Sequence, residues 1–140
     1  MRKGTLGFVE TVSCVRVKVE TPNAPAAVGP YSQAIKANGF LFISGQIALD
    51  PQTGQMTAVD AVAQTNQVMA NLNAILDAEG LSFGDVVKTT IYLTDLADFA
   101  RVNDAYGGYF ESDPPARATV QVAALPKGAK VEIEAVAVLR

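Results

Sequence analysis

The sequence has no histidine and a single cysteine, Cys14, among its 140 residues. One chain therefore cannot assemble a zinc site with nitrogen or sulfur ligands, and neither a serine–histidine nor a cysteine–histidine nucleophile pair can form. A lone cysteine cannot form an intrachain disulfide, which fits a reducing compartment, and we expect a cytoplasmic protein. Any catalysis must use carboxylates, arginine, lysine, tyrosine, hydroxyls or backbone groups, and we expect no cofactor and no metal.

Long apolar runs and excess positive charge are also missing. No apolar run approaches the ~20 residues that span a bilayer, so we expect no membrane association. The net charge of −3 argues against nucleic acid or an anionic membrane as the main partner. A hydrophobic fraction of 49% in 140 residues predicts one globular domain over residues 1–140. Within it, we expect residues 1–14 to be a mobile extension.

Hydrophobic periodicity and turn signals predict the order β-β-β-α-β-α-β-β. The alternating valines of residues 15–19 indicate a first strand, and Asn38-Gly39 predicts a tight hairpin between the next two strands. Thr57 is the expected cap of the first helix, with Asp60 in a capping-box-like position and Gly80 at the stop. The remaining elements are a strand over residues 86–94, a helix over 96–110, and strands over 116–124 and 129–139. This order favours an α+β fold with a single mixed β-sheet and two helices packed on one face.

The last two strands are predicted to form a hairpin through the loop at residues 125–128. If Ala124 faces Ala129, one polar face results on the side of the sheet without helices, and it carries Arg117, Thr119, Gln121, Glu132 and Glu134. The same face becomes apolar further along the last strand, at Val136 and Val138. A partly apolar sheet face without a helix cover predicts a homo-oligomer.

Two interpretations of this polar face remain open from the pattern alone. Arg117 and Glu134 are diagonal neighbours in the predicted register and could form a structural ion pair beside a solvated Glu132. Alternatively, Arg117 binds a substrate carboxylate as a planar bidentate donor, and a glutamate across a small cavity positions water.

Several stretches resemble the Rid/YjgF deaminase family in order and spacing, and the resemblance extends from about Val15 to the C-terminus. They are residues 23–34 (NAPAAVGPYSQA), 43–47 (ISGQI), 87–90 (VKTT), Val102-Asn103 with Tyr106, 115–122 (PARATVQV), 125–128 (LPKG) and 131–135 (VEIEA). The resemblance implies a chorismate-mutase-like homotrimer with sites between subunits. It also implies hydrolysis of 2-iminopropanoate and 2-iminobutanoate, which are products of pyridoxal-phosphate-dependent serine/threonine dehydratases.

The resemblance further implies a role for individual residues. Arg117 would bind the substrate carboxylate, and Glu132 would activate or orient water. Backbone groups at Thr119, where many family members carry cysteine, would contact the substrate nitrogen. The pocket would be lined by Tyr31, Ser44, Gly45 and Asn103.

Two other functions are compatible with the same residues. One is a trimeric metabolite-binding or regulatory protein without turnover, although the presence of both Arg117 and Glu132 favours an enzyme. The other is an endoribonuclease, an activity also ascribed to this family. The acidic charge and the lack of a basic stripe with interleaved aromatics argue against RNA as a partner.

Overall fold

One mixed sheet organises the computed structural model, which describes residues 15–140. Across this part of the chain the sheet has six strands in the order β1-β2-β3-β6-β4-β5. They are Arg16–Val19 (β1), Ala34–Ala37 (β2), Phe40–Gln46 (β3), Val86–Leu93 (β4), Ala116–Gln121 (β5) and Val131–Val138 (β6). β4 and β5 are parallel, and every other neighbouring pair is antiparallel. The predicted element order and fold class are confirmed, and the predicted extension over residues 1–14 lies outside the described residues.

The hairpin between β2 and β3 forms where Asn38-Gly39 predicted it. Ala37 pairs with Phe40 across the two-residue turn, and Asn38 and Gly39 have φ values of 53° and 86°. Both turn residues therefore adopt the left-handed conformation that asparagine and glycine tolerate best.

Two helices cover one face of the sheet, Ala61–Ala78 (α1) and Phe99–Gly107 (α2). Their apolar stripes and the inward residues of β6 form one core, in which α1 contributes Val68, Met69, Leu72, Ile75 and Leu76. Each such side chain contributes about 1.5–3 kcal/mol through burial. No helix within residues 15–140 is both long enough and apolar enough to cross a membrane.

The starts of both helices differ from the prediction. Asp60 is the N-cap of α1, because its side chain accepts a hydrogen bond from the Ala63 amide at 2.8 Å, so the assignment of Thr57 as the cap is wrong. The predicted stop is confirmed, since Gly80 follows the helix with φ at +70°. The second helix is shorter than predicted, because a separate 3₁₀ turn, Leu96–Asp98, precedes α2.

The predicted hairpin between the last two strands is wrong. β5 pairs with β4 in parallel, and β6 lies between β3 and β4. The physical reason is the crossover through α2. It returns the chain to the sheet parallel to β4, so that β5 occupies one edge of β4. The segment after β5 then carries β6 to the other edge of β4.

The predicted hairpin would have placed five polar residues on one face of the sheet. The observed topology separates them into two sets on opposite faces. Thr89 of β4 pairs with Arg117 of β5 and with Ala135 of β6, and side chains at paired positions share one face of the sheet. Arg117, and with it Thr119 and Gln121, is therefore on the face that the helices cover. Glu132 and Glu134 alternate with the buried residues of β6 and project from the opposite face, which we call the open face. A cross-strand Arg117–Glu134 ion pair is therefore excluded.

Candidate functional site

A β-bulge in β3 positions Ser44 and Gly45 on the open face. Ile43 pairs with Ala135 and Gln46 with Ile133, so β3 advances three residues while β6 advances two. The extra residue bends the strand locally and redirects its side chains. Hydrogen bonds from the Ser44 hydroxyl to the Ser32 carbonyl oxygen (2.5 Å) and from the Ser44 amide to the Gln33 carbonyl oxygen (3.0 Å) fix this conformation.

Gly45 makes room for the side chain of Glu132. A Cβ atom at Gly45 would lie 3.0 Å from Cδ and 3.2 Å from Cγ of Glu132, and it would overlap one carboxylate oxygen. A larger residue here would therefore displace the Glu132 carboxyl, and the advantage of glycine is close approach rather than backbone conformation. The Glu132 carboxyl is half-buried, and its pKa is raised, first by this burial and second by the negative charge of Glu134.

Gln33 holds the proline-rich loop that carries Tyr31. The Gln33 side chain is 4% exposed, and its amide nitrogen donates to the carbonyl oxygens of Thr21, Ala24 and Pro25 at 3.1, 3.3 and 2.8 Å. Its amide oxygen accepts from the Thr21 amide at 2.7 Å. The predicted pocket residues did not include Gln33. The available signal was a polar residue directly before β2, within the motif that contains Tyr31.

Four predicted site residues meet in one cleft on the open face. The cleft has a volume of about 470 Å³, and Tyr31, Ser44, Gly45 and Glu132 line it together with Lys127 and apolar residues of the proline-rich loop. A neighbouring cleft of about 580 Å³ shares Tyr31, Ser44 and Gly45. We call the four residues the open-face cluster. Within residues 15–140 the Glu132 carboxylate has no hydrogen-bond partner, so it can accept a hydrogen bond from a ligand or from water.

The other three predicted residues lie together at the β5 edge, and we call them the edge cluster. Arg117 Nη1 donates to Asn103 Oδ1 at 2.7 Å. The guanidinium carbon lies 5.7 Å from the ring centroid of Phe99 and 5.4 Å from that of Tyr106, which gives cation–π stabilisation. No carboxylate among residues 15–140 forms an ion pair with Arg117. The guanidinium is thus oriented by neutral groups and keeps donors for an anion.

The sequence does not reveal the contribution of the two rings, because Phe99 and Tyr106 also fit the apolar stripe that any core-facing helix carries. Tyr106 is buried, and its hydroxyl lies 2.6 Å from the Thr89 hydroxyl. Burial raises the pKa of Tyr106, so this phenol stays neutral beside the guanidinium.

Thr119, the third member of the edge cluster, has an unusual hydroxyl. It follows Arg117 by two residues on β5 and lies opposite Ile91 of β4. Its Oγ1 atom is buried, yet it forms no hydrogen bond with any group among residues 15–140. A buried hydroxyl without a partner is destabilising.

The two clusters lie on opposite faces of the sheet. β6, which carries Glu132, is separated from β5, which carries Arg117, by β4. The structure thus brings the seven predicted residues together as a set of four and a set of three.

The fold and these clusters define a class: an α+β protein with a half-buried glutamate on a bare sheet face and an aromatic-backed arginine at the sheet edge. The family model described as Endoribonuclease L-PSP matches residues 21–139. The chain therefore belongs to this family, the Rid/YjgF family, and the resemblance found in the sequence is confirmed.

Named relatives cover nearly the whole described chain. Protein DfrA of Myxococcus xanthus is 58% identical over 125 residues, which is 88% of this chain and 95% of that protein. The mouse 2-iminobutanoate/2-iminopropanoate deaminase is 50% identical over 126 residues, or 90% of this chain and 93% of the mouse protein. The crystal structure of E. coli TdcF with bound serine has a TM-score of 0.84 and 44% identity, and the match covers 89% of this chain and 99% of that one.

Proposed function

We propose that this protein hydrolyses short 2-imino acids, with 2-iminopropanoate and 2-iminobutanoate as substrates, to 2-keto acids and ammonia. The observation that carries the proposal is the Glu132 carboxylate, which is half-buried against Gly45 in a cleft and carries a raised pKa. A general base is most effective when its pKa approaches the working pH. The naming of a mouse relative with 50% identity as a deaminase of these two imino acids supports the same reaction.

We also propose that the protein is a homotrimer in which the edge cluster of one subunit completes the open-face cluster of another. The open-face cluster has the carboxylate of Glu132 but not Arg117, and the edge cluster has Arg117 but no carboxylate. Because the clusters lie on opposite faces of the sheet, one chain cannot bring them together. The open face also exposes apolar side chains that a neighbouring subunit would cover, with exposed fractions of 39% for Phe40, 45% for Phe42 and 41% for Val138.

In this assembly, Arg117 binds the substrate carboxylate through two parallel N–H donors while Asn103 and the two aromatic rings hold its plane. The substrate nitrogen is protonated, so its C2 carbon is electrophilic. Backbone groups at Thr119 contact that nitrogen. The open-face cluster supplies Glu132 beside C2, with Tyr31, Ser44 and Gly45 as the surrounding wall.

Glu132 accepts a proton from water as the water oxygen bonds to C2. The resulting carbinolamine takes the same proton back on nitrogen. Its C–N bond then breaks and ammonia leaves as the carbonyl forms, while the regenerated Glu132 carboxylate accepts the hydroxyl proton and passes it to the ammonia or to solvent. Every step is a proton transfer or an addition and elimination at one carbon, so positioning and one carboxylate base suffice.

A coupled assay tests the proposal. A serine/threonine dehydratase generates the imine, and 2-keto acid release is timed with and without this protein. We expect clear acceleration by the wild type and a loss of about 10²-fold or more in the Arg117→Ala and Glu132→Gln variants. Arg101→Ala is the matched control, because Arg101 pairs with Asp98 away from both clusters. No acceleration by the wild type, or equal losses in all three variants, would contradict the proposed reaction.

The same assay separates turnover from simple binding. A metabolite-binding protein would bind a short carboxylate in the wild type and lose that binding with Arg117→Ala, without accelerating imine hydrolysis. The family model carries an endoribonuclease description, but the open face presents two glutamates, and no structural feature of residues 15–140 favours RNA.

A further inference from the structure

A third residue shares the open face with the two glutamates of β6. Tyr92 of β4 lies directly opposite Glu132 in the antiparallel pairing. Its hydroxyl does not meet Glu132 but donates to Glu134 Oε1 at 3.1 Å. Glu132 and Glu134 are two residues apart on one strand and therefore project from the same face. Tyr92 thus anchors one carboxylate in a fixed place next to the other.

We propose that Tyr92 and Glu134 are positioning residues for Glu132: the tyrosine hydroxyl fixes a second negative charge beside Glu132 and makes it a stronger base than a lone surface glutamate. The proposal rests on the function proposed above. It assigns to the same site a tuning pair that touches neither the substrate nor the reacting water.

The geometry explains why the Glu134 carboxylate must be held in place if its charge is to act on Glu132. Glu134 is exposed, and a free side chain at this position would turn toward solvent and away from Glu132. The hydroxyl of Tyr92 is a neutral donor, so it orients Glu134 without cancelling its charge, whereas a lysine or arginine partner would cancel it. Burial and the neighbouring Glu134 carboxylate both raise the pKa of Tyr92, so the phenol stays a donor throughout the neutral range.

Other ionisable groups facing the two glutamates come from several elements. From β1, β4 and the loops around the two clefts, these groups are Arg16, Lys88, Tyr92, Tyr31 and Lys127. Among the charges, that of Glu134 is the one that raises the pKa of Glu132. In the proposed trimer, Arg117 of another subunit adds a positive charge to the site. This charge is present in the wild type and in every variant, so it does not account for a difference between their Glu132 titration midpoints.

The test is an NMR titration of Glu132 in the intact protein labelled with ¹³C at glutamate carboxyl carbons, with the resonance assigned through Glu132→Gln. Glu134→Gln keeps the size and the acceptor for Tyr92 but removes the charge, so the titration midpoint of Glu132 should fall. Tyr92→Phe releases Glu134 and should lower the midpoint by less. Glu111→Gln removes an equal charge from an exposed position outside both clusters and should leave the midpoint unchanged.

The rate profile gives a second, independent measurement. The acid limb of imine hydrolysis should move to lower pH in Glu134→Gln, and the plateau rate should fall several-fold, well short of the roughly 10²-fold loss in Glu132→Gln. An unchanged midpoint in Glu134→Gln, with an active wild type, overturns the positioning role and leaves the proposed function intact. A shifted midpoint in a protein that does not accelerate hydrolysis confirms the coupling and overturns the proposed function.

Discussion

At the scale of single residues, Gly45 is the position where one added methyl group should separate activity from stability. In Gly45→Ala the new Cβ would overlap the Glu132 carboxylate, and the flexible end of that side chain can move aside. We expect activity to fall about tenfold or more, since a displacement of about 1 Å is enough for such a loss, with little change in the melting temperature. Gly107→Ala is the control, because a Cβ there meets nothing within 4 Å. A stable Gly45→Ala variant with full activity would contradict the tight fit.

Thr119 allows the opposite experiment, in which a substitution should improve stability. Its buried hydroxyl lacks a partner among residues 15–140, and valine has nearly the same shape without the polar atom. We expect Thr119→Val to raise the free energy of unfolding by about 1 kcal/mol in urea denaturation at matched protein concentration. Activity should persist if the contact with the substrate nitrogen is made by backbone groups. Destabilisation instead would mean that another subunit or a ligand supplies the missing hydrogen bond.

At the scale of secondary-structure elements, the cap of α1 gives a direct contrast between sequence pattern and structure. Asp60 accepts the Ala63 amide, whereas Thr57 is exposed three residues before the cap. Asp60→Ala should therefore cost about 1 kcal/mol of unfolding free energy, while Thr57→Ala should cost almost nothing. Thermal or urea unfolding of the two variants measures the difference, and equal losses would reassign the cap.

The elements also show which parts of the site the sequence could predict. Asn38-Gly39 specified its hairpin correctly because the turn conformation is a local property of two residues. The segment of residues 125–128 carries a similar signal, with Lys127 and Gly128 at positive φ, yet it does not connect paired strands. Strand pairing there depends on the crossover through α2, which no local pattern reveals.

The same limit applies to the candidate site. The alternation within each strand correctly grouped Arg117 with Thr119, and Glu132 with Glu134. Predicting how the two groups lie relative to each other required the register of β5 and β6 with β4. Side chains alternate between the two faces, so the pairing decides which face each group occupies. The sequence therefore predicted which residues of each strand share a face, but not that the two groups lie on opposite faces of the sheet.

At the scale of the whole molecule, that separation predicts complementation between two inactive variants. Arg117→Ala lacks the edge cluster's cation but keeps Glu132, and Glu132→Gln keeps the cation but lacks the base. If each site takes one cluster from each of two subunits, random mixed trimers refolded from equal amounts should contain about a quarter of intact sites. The coupled assay should then recover about a quarter of the wild-type rate, while each variant refolded alone stays inactive. A site formed within one chain would give no recovery at any mixing ratio, because every chain in the mixture lacks one of the two groups.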